Sequence, residues 1–193
     1  MNEKNDFNSN LIRANQLGRR LELIIIIILT VCYVSQGTKN SISTIGLVTI
    51  MATLWGPVIL SYVLYKNNPA SELIKHVIGV GYGLFCLTVC LVSDQQLVYT
   101  YAFPMLIVVA IYCDFKFSLI VAGACIALSI VHSLILTSNA GWSPQAVAAM
   151  EIEIASTMLV GVYSAVANRF IIKINERNMQ RINETTQKTE NML

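Results

Sequence analysis

Six apolar runs, at residues 21–35, 42–65, 73–93, 97–113, 117–137 and 151–172, occupy most of this 193-residue chain and restrict it to a bundle of helices in a membrane. A helix rises about 1.5 Å per residue, so about 20 residues cross a hydrocarbon core of about 30 Å; shorter runs use interfacial residues or local thinning of the bilayer. The runs predict an all-α membrane protein with six transmembrane helices.

Sidedness follows from the basic residues. Of 13 lysines and arginines, only Lys39 falls on one side once the chain is cut at these runs. Lys4, Arg13, Arg19 and Arg20 precede the first run. Lys66, Lys75 and Lys116 occupy later turns on that same side, and Arg169, Lys173, Arg177, Arg181 and Lys188 follow the last run. Short loops rich in lysine and arginine stay inside, so both termini are expected in the cytoplasm of a cell with this chain in its plasma membrane. An even number of spans meets the same requirement.

A hydrophobic content of 55%, with 12% charged residues, leaves no room for a separate soluble domain of ordinary size. The expected organisation is a cytoplasmic segment at 1–20, a six-helix sensor domain at 21–172 and a cytoplasmic signalling helix at 173–193. The small net charge of +2 sits at helix ends, where it meets lipid headgroups and not nucleic acid. No small-x-small site follows the first apolar run, so a retained signal-anchor helix is expected. The five cysteines lie in or beside apolar runs and read as thiols. Cys86 and Cys90 share a helix face, but no metal or other cofactor is expected there.

Ionisable groups are costly within a membrane, which makes each a candidate site. His132 lies about 24 Å along the fifth helix from Lys116, at the depth of Glu151 and Glu153 on the sixth and Asp94 at the end of the third. With Tyr99, Tyr101 and Trp142, they form the candidate ligand-binding set. Trp142 and the tyrosines also suit the role of interfacial anchors. At about 100° per residue, Glu151 and Glu153 point apart, so one of the two is expected to face the bundle. Pro57 predicts a kink in the second helix. Gly79 and Gly83 offer a small face for close helix contact in the third, as do Gly161 and Ala165 in the sixth. There is no His-Glu-x-x-His, Gly-x-Ser-x-Gly or phosphate-loop pattern, and no enzymatic activity is expected.

The tail carries a heptad seam, with Ile172, Asn175, Met179, Ile182, Thr186, Thr189 and Leu193 separated by alternating steps of three and four. No proline or glycine interrupts the chain from Tyr163 onward. The sixth helix is therefore expected to continue into the cytoplasm as a coiled-coil-like helix. Leu193 falls at a core position with no stop signal, the pattern expected of a longer parent protein.

The stretch KINERNMQRINETTQKTENML at 173–193 resembles the segment joining the last membrane helix to the cytoplasmic coiled coil in multi-span methyl-accepting chemotaxis proteins of Gram-positive bacteria. The resemblance implies a homodimeric receptor that acts on a histidine kinase complex through a C-terminal module beyond this chain. The function expected is then the membrane input module of a signal-transducing receptor. The alternative is a small-molecule transporter, as the substrate-binding membrane component of an energy-coupling-factor system. Against it, LELIIIIILTVCYV lacks the Ala-x-x-x-Ala face those components use, and the charged tail has no role there.

Overall fold

The computed structural model describes residues 2–39, 42–92 and 98–190, with the side chains of 2–7, 183 and 190 left aside. Every regular element among them is helical: α1 (Asn2–Thr38), α2 (Thr44–Asn67), α3 (Leu73–Val92), a 3₁₀ turn (Val98–Tyr101) leading into α4 (Ala102–Ala110), α5 (Phe115–Asn139) and α6 (Pro144–Glu190). Five of these, all except α4, are long and apolar enough to cross a membrane, whereas Val98–Ala110 is a shorter apolar helix. Large apolar side chains cover the outside of the bundle, including Ile28, Ile45, Val80, Ile120 and Leu159, each more than half exposed. Such a belt is the surface of a protein solvated by lipid.

Antiparallel pairs α2–α3 and α5–α6 form the bundle, with α4 held between α3, α5, α6 and α1, and α1 laid chiefly against α2. Helix α4 is buried on most sides through Met105, Leu106, Val108 and Val109, while Ile107 looks outward. A helix that is apolar all round belongs in the interior. Its direction follows from the chain path. Lys75 at the start of α3 pairs with Asp114 at the start of α5 at 2.8 Å, so both helices begin at one end of the bundle. Residues 98–113 must therefore return along the bundle between them. Helix α6 leaves the bundle at that shared end, the stem end.

Local chemistry sets the boundaries. Ser43 caps α2 by accepting from the Gly46 N–H, and Asp114 caps α5 by accepting from the Phe117 N–H. Helix α5 closes through Gly141 and Trp142, both with positive φ, as their N–H groups donate to Ser138 and Thr137 carbonyls. Trp142 is 56% exposed in that turn.

One sequence expectation changes in three dimensions. Helix α2 runs continuously through Pro57, whose ring packs against Gly81 of α3. Close approach on α3 is thus made at Gly81 and, towards α5, at Gly79, and not by a joint Gly79 and Gly83 face. Gly79 meets the Phe117 ring and Gly83 faces open space. On α6, Gly161 does approach α5 closely, at Ile126 and Ala122. The aromatic core is built from Tyr33, Phe85, Tyr82 and Tyr101, with ring centroids 5.4–6.3 Å apart.

Candidate functional site

Buried hydroxyls and amides in a bilayer must find partners inside the protein, and the largest such cluster joins α5 to α6. Ser129, His132, Ser133 and Thr137 fall on one face of α5, and Glu153 and Thr157 fall one turn apart on the facing side of α6; all are buried. His132 Nδ1 lies 2.9 Å from Glu153 Oε1. With the proton on Nδ1, the imidazole donates to the carboxylate. Ser129 Oγ also donates to Glu153 Oε1 at 3.3 Å. Thr157 Oγ1 shares its single proton between Ser129 Oγ at 3.0 Å and the Glu153 carbonyl of its own helix at 2.9 Å. The Glu153 carboxylate is thus fixed by two side chains of α5, and His132 Nε2 stays buried without a hydrogen-bond partner.

Two hollows meet at Glu153. One, of about 380 Å³, opens at the end opposite the stem between Thr137, Asn139 and Ala140 of α5 and Ala146, Ala149 and Met150 of α6. The other, of about 590 Å³, is an apolar groove between α3 and α5, floored by Val98, Ala102 and Met105. A polar group bridging α5 and α6 is therefore reachable from two directions.

The candidate set divides accordingly. His132 and Glu153 come together, while Glu151 is exposed on the other side of α6. Tyr99 lines the apolar groove. Tyr101 packs on Tyr33 and accepts at its carbonyl from the Tyr82 hydroxyl at 2.8 Å. Trp142 stays at the surface, and Asp94 lies outside the described residues.

Sequence reasoning passed over several buried polar side chains. Ser129, Ser133 and Thr157 belong to the cluster itself, and a polar stripe at helical spacing on α5 is its sequence signature. Glu22 on α1 is 3% exposed and accepts from Ser61 Oγ at 3.1 Å. One turn earlier, Arg19 lies over the rings of Tyr62 and Tyr65 at 5.2 and 4.5 Å. Glu22 lies inside the first apolar run, one leucine before the isoleucines at 24–28, and the apolar composition of that run masks it.

The stem end is pinned by polar contacts. Asn15, fully buried, donates to the Pro69 and Ser71 carbonyls at 2.8 and 3.0 Å and ties α1 to the α2–α3 turn. On α6, Asn168 donates to the Asp114 carbonyl at 3.5 Å and Asn175 to Cys113 Sγ at 3.5 Å. The seam residue Asn175 is thus engaged by its own bundle. Burial raises the Asp114 carboxyl, but hydrogen bonds from Lys75 and the Phe117 N–H, together with the Lys75 charge, outweigh it and hold the group below its ordinary value. Beyond this point α6 is exposed, including Met179 and Ile182 at 49% and 57%. Thr186 and Thr189 return their hydroxyls to the helix's own carbonyls, and Leu193 lies outside the described residues.

No group of three or more metal-ligating side chains occurs among the described residues. Compared with known protein families, curated proteins and solved structures, the chain finds no match.

Proposed function

We propose that this chain is the membrane input module of a signal-transducing receptor, of the chemotaxis type that the tail resembles. One observation carries the reading: α6 is a single 47-residue helix, Pro144–Glu190, holding Glu153 in the buried cluster and Met179 and Ile182 on the exposed stem. At about 1.5 Å per residue it is a rod of about 70 Å. An altered contact at Glu153 has no flexible joint in which to dissipate before it reaches the stem.

In this reading the stem end faces the cytoplasm of a cell with the chain in its plasma membrane. Both termini lie inside, as the one-sided lysines and arginines favour. Residues 98–110 make the sixth crossing, sheltered from lipid by their neighbours. The apolar stripe at Met179 and Ile182 pairs with that of a second copy as a coiled coil, and the output lies in a C-terminal module acting on a histidine kinase complex. No catalytic step is assigned to the bundle.

Met179→Cys and Ile182→Cys variants in native membranes, with the unmodified chain as control, test this directly. The expected result is oxidative dimer formation at both positions, with labelling of residue 179 only by reagents admitted to the cytoplasmic side. Monomers at both positions, or labelling of residue 179 from outside, removes the receptor reading.

A further inference from the structure

The groove between α3 and α5 runs from His76 and Phe117 at the stem end to Cys90 and Val131 at the other. Fourteen residues of helix separate those landmarks, a length of about 21 Å. Its mouth is formed by Val80, Leu84 and Ile120, which are 62%, 52% and 69% exposed and belong to the lipid-facing belt. A molecule would therefore enter sideways from the bilayer. The walls are apolar apart from a few groups, and the carboxylate of Glu153 beside Ser129 closes the far end. No lysine or arginine lines the groove among the described residues.

Length, apolarity and lateral opening specify a single hydrocarbon chain, and the charge at the closed end specifies its head. An anionic head would meet a carboxylate with no cationic lysine or arginine nearby. A cationic head that donates hydrogen bonds meets an acceptor already oriented by His132 and Ser129. We propose that this groove binds a membrane-dissolved, single-chain amphiphile with a cationic, hydrogen-bond-donating head group, its head on Glu153 and its chain along Gly83 and Gly79. The proposal deepens the receptor reading and rests on it only for the consequence of binding: an occupied groove would compete for the contact between α5 and α6.

Gly83 supplies a selective test, because a Cβ there meets nothing within 4 Å and the space beyond is the groove itself. The full chain in phosphatidylcholine vesicles is exposed to three photoactivatable probes of equal length: an octadecylamine, the corresponding fatty acid and the bare hydrocarbon. The amine is expected to label peptides from 76–90 and 117–131 about tenfold more than the other two, as one charge-assisted hydrogen bond implies. Gly83→Phe should suppress that labelling, and Glu153→Gln should remove the preference for the amine. Equal labelling by all three probes in the unmodified chain means that ordinary bilayer chains fill the groove, and overturns the proposal. So does undiminished amine labelling in Gly83→Phe. The unmodified chain and Gly83→Phe decide the matter even where Glu153→Gln fails to fold. Stem crosslinking is a separate readout, so its failure would remove the receptor reading and leave binding intact.

Discussion

Glu153 on α6 lies 2.9 Å from His132 on α5, so the helix that forms the stem also carries the carboxylate of the buried cluster. The two side chains are 4% and 1% exposed. Removing Glu153 strands His132 Nδ1 in an apolar setting, and removing His132 leaves the carboxylate with Ser129 alone at 3.3 Å.

His132→Leu and Glu153→Leu should each destabilise the bundle by about 1–3 kcal/mol, the cost of stranding a buried partner. The double variant should cost less than the sum of the two. Unfolding of the four proteins in one detergent measures the coupling; strict additivity would mean that the pair is not an energetic unit.

Gly81 and Gly83 should respond oppositely to a methyl group. Gly81→Ala collides with Pro57 and is expected to cost about 1–3 kcal/mol by overpacking. Gly83→Ala meets open space and should be neutral, or stabilising by up to about 1 kcal/mol through helix propensity. Melting temperatures of the two variants check the contrast.

Asp114 gives the stem end an acid-sensitive clasp. Its folded value lies below the ordinary 3.8, so its contribution is present above that value and is lost as pH falls through the lower folded value. Stability measured from pH 6 down to pH 2 should decline less steeply in Asp114→Asn than in the unmodified chain. Parallel curves would assign no role to the Lys75 contact.

A proline in the exposed part of α6 should separate bundle from stem. Glu176→Pro removes one backbone donor and clashes with the preceding turn, at about 3 kcal/mol in a helix interior. The expected outcome is a bundle that still melts cooperatively, lowered only by loss of the Asn175–Cys113 contact, together with loss of the dimer crosslinks at Met179 and Ile182. Crosslinks that persist unaltered would show that the stem associates without a continuous helix.

The apolar runs by themselves determined that the chain is helical, with helices long and apolar enough to cross a membrane, because burying about 20 residues of backbone in hydrocarbon leaves few ways to satisfy its polar groups. Periodicity also placed His132, Glu151 and Glu153 at one depth and set the two glutamates on different faces, since rise and rotation per residue are fixed by the helix itself; the choice of Glu153 as the inward one came with the packing. What only the tertiary structure decided is which helix lies beside which. Gly81 and not the Gly79–Gly83 face meets Pro57, Asn175 turns to Cys113, and Glu22 finds Ser61 across 39 residues. Those partnerships depend on helix order and rotation about the bundle axis. In a chain whose outer faces are nearly as apolar as its inner ones, hydropathy does not record that rotation. Buried polar groups fix it, because a hydrogen bond in lipid is satisfied in few orientations.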